Sequence, residues 1–256
     1  MLKISKTLIA IITLQVTCIA TASPVPNFTA IYDVTKSGIA LGEMRSQLTI
    51  NPDNSYTYSS KTEPVGLASL FSSETVTETS QGILKKNNFT PKTYTYKRAG
   101  GDRNQNTTIT FDHAKKNATD VTNDKTTTLK IDNSITDRQI IQILLMNDML
   151  AGSTKLEYKV INKQEIKPYS FRILEHETIE TELGVFKTTP VVRKREGSSR
   201  ETTLWLAHEL YYLPVKIEQT KNGSTKFEME IIKLTGIAVP PKKAKELKAP
   251  LNLTNY

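Results

Sequence analysis

Polar and apolar residues alternate along most of this chain with a period of two, not the 3.6 of a helix. Tyr56-Thr57-Tyr58, Thr75-Val76-Thr77, Thr93-Tyr94-Thr95-Tyr96 and Thr107-Thr108-Ile109-Thr110-Phe111 carry the pattern most clearly. Thr, Tyr, Val and Ile suit a pleated surface with one wet and one dry face, so these stretches predict strands. Turn signals interrupt them at Ser37-Gly38, Asp53-Asn54, Gly100-Gly101, Asn123-Asp124, Leu183-Gly184, Gly197-Ser198 and Asn222-Gly223. Gly and Asn tolerate the positive φ of tight reversals, so neighbours in sequence become neighbours in the sheet. The spacing predicts roughly ten to thirteen antiparallel strands. Around Gly197-Ser198 the pairing sets Lys194 opposite Glu201, a favourable cross-strand pair.

One segment departs from this alternation. Ile140, Ile141, Leu144 and Leu145 fall on one helical face, which predicts an amphipathic helix over about Ile135–Leu150. Ser134 with Asp137 three residues on resembles a capping box, and Gly152 supplies a stop. Pro64 to Phe71 is a second apolar piece, a loop or a single helical turn. An antiparallel sheet of this size must curl. The expected fold is therefore mainly β, a strongly curved antiparallel sheet forming an open or half β-barrel. Its concave face is where the helix buries its apolar stripe.

The two ends differ from the body. Lys3 and Lys6 precede a mostly apolar run from Thr7 to Ala20, and Ala20-Thr21-Ala22 fits a small-x-small cleavage pattern. Residues 1–22 are thus expected to be a secretory signal peptide cut between Ala22 and Ser23. The run is too short to span a bilayer, so no transmembrane segment is expected after cleavage. A single β-rich domain is expected over 23–238, and a disordered tail over 239–256, with Pro240-Pro241 and four lysines. The only cysteine, Cys18, lies in the leader, so the exported chain would rely on its core without disulfides.

Charge adds little to this picture. The whole chain carries +8, but Lys3 and Lys6 belong to the leader, and the tail's four lysines against Glu246 hold half of the remaining +6. The body mixes both signs, whereas a nucleic-acid binder concentrates basic residues on one face. No nucleic-acid partner is expected. The tail could instead meet an anionic envelope surface or an envelope protein.

No reaction signature emerges. There is no Gly-x-Ser-x-Gly elbow, no phosphate-cradling loop and no dinucleotide fingerprint. His113, His176 and His208 are scattered, and a zinc site needs three or four converging ligands, so no metal or other cofactor is expected. Glu175, Glu177, Glu180 and Glu182 form an acidic run best explained as a solvated face. Asp102 and Asp112 could pair as glycosidase carboxylates do, but among so many acidic residues such a pair has no specificity.

The most distinctive stretch lies near the C-terminus, where the single Trp205 precedes Leu213-Pro214-Val215. Pro214 suits a strand start, where no ladder partner is needed. Together with Phe28–Met44, Tyr56–Phe71, Thr90–Arg98 and Glu177–Val191, the segment Leu204–Glu218 resembles the exported proteobacterial proteins grouped as domain-of-unknown-function family 3108. The resemblance spans nearly all of the exported chain and implies no activity. The Trp-then-Leu-Pro-Val hairpin is more distantly similar to one in half-open β-barrel envelope proteins, among them the periplasmic lipoprotein carriers.

These features lead to an exported, non-catalytic periplasmic protein, with a lipidic or apolar ligand in envelope maintenance. Trp205, Ile141, Leu144 and Leu145 are the expected lining of its apolar groove. A structural or protein-partner module of the envelope is the alternative, and a carboxylate-dependent envelope hydrolase a further one.

Overall fold

The computed structural model describes residues 25–194 and 197–241. The expected signal peptide, its Ala22/Ser23 cleavage point and the lysines of the tail lie outside the described residues. The chain runs β1 (Phe28–Lys36), β2 (Ile39–Ile50), β3 (Ser55–Glu63), a 3-10 turn (Gly66–Leu70), β4 (Thr75–Lys85), β5 (Asn88–Ala99), β6 (Gln105–Asp112), β7 (Asn117–Thr122) and β8 (Lys125–Lys130). It continues through β9 (Ile135–Asp137), the helix α1 (Ile141–Leu150), β10 (Leu156–Asn162), β11 (Glu165–Ile173), β12 (Glu177–Thr181), β13 (Gly184–Lys194) and β14 (Arg200–Ala207). A second 3-10 turn (His208–Leu210), β15 (Leu213–Lys221) and β16 (Ser224–Thr235) complete it.

Sixteen strands form one curved sheet in the order β8-β7-β6-β5-β4-β3-β2-β1-β16-β15-β14-β13-β11-β10-β9, with β12 added on β13. This is the mainly β, open and curved architecture that the alternation predicts, and it does not close into a barrel. Strands are more numerous than expected, because short polar ones such as β8 (KTTTLK) offer little apolar signal. One pairing is parallel: β9 lies along Lys159–Ile161 of β10. Ladder register slips at several bulges, including Val34/Thr35, Gln81/Gly82 and Trp205/Leu206. Each bulge adds local twist and bends its strand, which curls the sheet. At Gly82 a Cβ would come within 2.1 Å of the Thr90 carbonyl oxygen, so only glycine allows that approach.

Alternation places the core. In β1, Phe28, Ala30, Tyr32 and Val34 are buried while the residues between them are half-exposed. Their inner face joins Leu48, Tyr56, Tyr58 and Phe89 around Ile140, Ile143 and Met146. The helix therefore plugs the hollow of the sheet.

The helix departs from the prediction in three respects. It starts at Ile141, six residues later than expected, because Ile135–Asp137 is a strand buried on both faces. A fully buried strand loses its alternation, and without alternation it cannot be told from helix in sequence. It is also not amphipathic: Ile141 packs on Val160 and Tyr169, while Leu145 and Met149 meet Leu156, Val191 and Leu206 on another side. Its polar residues, Gln142, Asn147 and Asp148, are half-buried and are spread around the helix instead of forming one stripe. Finally, the Ser134–Asp137 capping box is absent. Ser134 turns back to Asp132, and Asp137 accepts the backbone N–H groups of Gln139 (2.9 Å) and Ile140 (3.0 Å) just ahead of the helix.

Candidate functional site

In an antiparallel sheet, alternate strands begin and end along the same edge. The ends of β1, β3, β5 and β7 and the starts of β2, β4 and β6 form one such rim, and two cavities of opposite character open along it.

The first is an apolar groove of about 540 Å³. Its floor is Val34, the Ile39–Gly42 start of β2 and Thr62–Pro64 at the end of β3, and its wall is Leu67 and Ala68 of the 3-10 turn with Phe71 just after it. Gly42 lets the strands under the groove approach: a Cβ there would sit 2.2 Å from the Glu63 carbonyl oxygen. Phe71 is 89% exposed, Leu67 79% and Ile39 68%. An apolar patch this open is a mark of interaction on a folded protein. The two carboxylates at its edge are already engaged, Glu63 with Lys61 at 2.6 Å and Glu74 with Arg98 at 2.7 Å.

The second cavity, about 460 Å³, lies where the inner faces of β5, β6 and β7 face the β9–α1 junction and the β10–β11 turn. Tyr94, Tyr96 and Arg98 point inward from β5, and Gln105, Thr107 and Ile109 from β6. Arg138 reaches in from beyond β9. Its guanidinium grips Glu78 with two bonds, at 2.9 and 2.5 Å, and lies 4.8 Å over the Tyr96 ring. Tyr94 donates to the same carboxylate at 2.8 Å, and burial together with the Glu78 charge pushes that phenol far above its ordinary range. Arg103, Lys163 and Arg200 complete the rim, each from a different turn or strand end. Asp120 is the one acidic lining residue; it is fully buried and accepts the Thr122 hydroxyl (2.7 Å) and the backbone N–H of Gln164 (3.1 Å). That bond holds Lys163 and Gln164 in place, both at positive φ (57° and 60°) without a glycine.

A smaller polar cluster sits at the opposite side of the sheet. The Thr189 hydroxyl bridges His176 Nδ1 (2.9 Å) and His208 Nε2 (2.7 Å), with the two rings 5.1 Å apart and nearly perpendicular. A hydroxyl has one proton, so it donates to one ring and accepts N–H from the other. Burial, reinforced by the neighbouring His176, lowers the pKa of His208. Sequence separation hid this meeting. No group of three or more His, Cys, Asp or Glu residues able to hold a metal occurs among the described residues.

The residues expected to line an apolar groove are spread through the packing. Ile141 and Leu145 are buried in two different clusters, and Leu144 bridges the central core and the β10–β11 side. Trp205 is half-buried at the core's margin, donating its indole N–H to Glu177 at 2.6 Å with Lys216 5.3 Å from its ring centre. None of the four lines either rim cavity. Asp102 and Asp112 flank opposite ends of β6 and do not form a pair. The Glu175–Glu182 acidic residues are all exposed, as a solvated face requires. Lys194 does face Glu201 across β13 and β14.

Fold and cavities together define an open, helix-plugged β-sheet protein with two recesses on one rim. No helix among the described residues is long and apolar enough to cross a membrane. The chain belongs to the family described as "Protein of unknown function (DUF3108)", which matches residues 27–230. No curated protein sequence matches it. In fold it is similar to a β-barrel-like protein of the domain of unknown function DUF1849 from Brucella abortus, with a TM-score of 0.54 at 10% identity over 84% of this chain and 99% of that one. A putative lipoprotein from Parabacteroides distasonis also matches, with a TM-score of 0.36 at 10% identity over 83% of this chain and 97% of that one.

Proposed function

We propose that this protein is an exported, periplasmic binding module of the cell envelope that holds an apolar chain of lipid type in the rim groove. The observation that carries the reading is the groove itself: Ile39, Leu41, Leu67 and Phe71 stand exposed around one recess large enough for a small-molecule ligand. Each methylene buried there contributes about 0.8 kcal/mol, so a long chain gains several kcal/mol from the lining alone. The edge carboxylates are paired within the protein, so the recess asks no charge of its occupant. Hydrolysis is not favoured, because the two carboxylates that line the groove, Glu63 and Glu74, are each engaged in an ion pair.

The test is displacement of an apolar fluorescent dye, 1-N-phenylnaphthylamine, from the purified protein by dodecanol. Saturable displacement is expected, and Phe71→Asp or Leu67→Asp should weaken it at least tenfold while leaving thermal unfolding unchanged. Dye binding that survives both substitutions would place the apolar site elsewhere and overturn the assignment.

A further inference from the structure

The groove and the cationic cavity are not independent, since one ion pair forms the partition between them. Glu74 lines the groove, Arg98 lines the cavity, and the two carboxylate oxygens accept from Arg98 Nη2 at 2.9 and 2.7 Å. Gly101 keeps this partition low. A Cβ at that position would lie 2.4 Å from Glu74 Oε2, so the carboxylate rests directly against the β5–β6 turn. Beside it, Ser73 donates to the Gly100 carbonyl oxygen at 2.9 Å, fixing the start of β4 to the same turn.

On the far side of that partition the charge is unbalanced. Arg98 and Arg138 are matched by Glu74 and Glu78. Arg103, Lys163 and Arg200 have no ion-pair partner among the described residues. The Nε–H of Arg98 is buried without a hydrogen-bond acceptor. Three unmatched cations and an orphan guanidinium donor around one recess attract an oxyanion, which guanidinium groups bind through paired N–H bonds and lysine as a point charge. Asp120, whose oxygens accept from Thr122 and Gln164, offsets one of these three charges and leaves the recess with a net positive excess.

We infer that the two recesses form one composite site for an anionic amphiphile, its apolar chain in the groove and its oxyanion head among Arg103, Lys163 and Arg200. The Glu74–Arg98 pair is the sill over which the ligand lies. This inference rests on the groove assignment above and adds the headgroup to it.

Dodecyl phosphate, dodecanol and inorganic phosphate, each below any micelle-forming concentration, would compete for the dye in the full chain. Dodecyl phosphate is expected to bind at least tenfold more tightly than dodecanol, with the difference shrinking as salt rises. In an Arg103→Ala/Arg200→Ala variant that difference should collapse while dodecanol affinity stays as it was. Both positions are exposed, so the variant should unfold at the wild-type temperature; Lys36→Ala, an exposed lysine lining neither cavity, should leave all affinities unchanged. Equal binding of the two amphiphiles by wild type, or a difference that survives in the double variant, would overturn the composite site while leaving the groove standing. Inorganic phosphate competing as well as dodecyl phosphate would also overturn it, since the head would then need no tail. Displacement by neither amphiphile would defeat the groove assignment and this inference together.

Discussion

Ser80 and Asp137 lie 57 residues apart, yet the Ser80 hydroxyl donates to the Asp137 carboxylate at 2.6 Å with both side chains fully buried. The serine proton is thereby used, so the Tyr56 hydroxyl, 3.2 Å from Ser80 Oγ, must be the donor to it. This chain of bonds ties the inner face of β3 and β4 to the turn from which the helix sets out. One residue on, Arg138 is held by Glu78 of the same strand. The helix is thus moored to the sheet through polar groups at its start and through apolar packing along its length.

Asp137 gives the protein a pH dependence of definite sign. Burial is the main cause that lifts its pKa from 3.8 to about 6, against the lowering effect of the Ser80, Ile140 and Gln139 bonds. Between those values the folded state keeps a proton that the unfolded chain has released, so stability falls as pH climbs through the window. The loss amounts to about 3 kcal/mol for a shift of about two units. Asp137→Asn keeps an acceptor for the two amides and does not titrate. Urea unfolding at pH 4 and pH 6 should show the wild type losing stability relative to the variant; parallel behaviour of the two would contradict the assignment.

Glu78 and Arg138 are only partly exposed, at 17% and 33% of their side chains. Glu78→Leu leaves the guanidinium without its partner and should destabilise by about 2 kcal/mol, between the exposed and fully buried cases. Adding Arg138→Met should recover much of that loss. A double-mutant cycle with no coupling between the two positions would show that the pair is incidental.

Helix substitutions should rank by burial. Leu145 is fully buried against Leu156, Val191 and Leu206, whereas Leu144 is half-buried. Leu145→Asp should prevent folding or cost more than 4 kcal/mol, roughly the scale of an unpaired buried charge. Leu144→Asp should cost distinctly less. Thermal melts that reverse this order would mean the helix is rotated from the position described.

His208 acts in the opposite sense to Asp137. Its pKa is lowered from 6.5 by burial and by His176, so the unfolded chain takes up a proton first as the medium acidifies. The associated stability is present above pH 6.5 and is lost as pH falls below it. NMR titration should find the His208 imidazole titrating below an ordinary histidine, and His208→Gln should flatten the stability profile in that range.

The legible parts of the fold are those where local chemistry decides the outcome. Ser37-Gly38 and Asn222-Gly223 are two-residue reversals with both residues at positive φ, as their composition predicts. Lys86-Asn87 and Lys163-Gln164 adopt the same geometry without glycine, and Lys163-Gln164 carries no turn residue at all. For Lys163-Gln164 the cause is tertiary, since Asp120 and the Lys125 carbonyl of distant strands hold Gln164. The helix start is hidden for a related reason: Asp137 was expected inside the helix and instead serves the turn before it. The cationic cavity draws on β5, β6, β7, Arg138, the β10–β11 turn and the start of β14. Charges that far apart in sequence look like an ordinary mixed surface until the sheet curls and gathers them.

The path of strands ends at β8 on one side and β9 on the other, and no ladder joins them. What spans the interval is side-chain contact, Ile131, Ile135 and Ile161 against Tyr94, Ile109 and Phe111, with Gln164 fastened to Asp120. A closed cylinder could widen only by rupturing a row of backbone bonds at once. Here the circumference has a seam, and parting it would break side-chain contacts while every strand keeps its backbone neighbours.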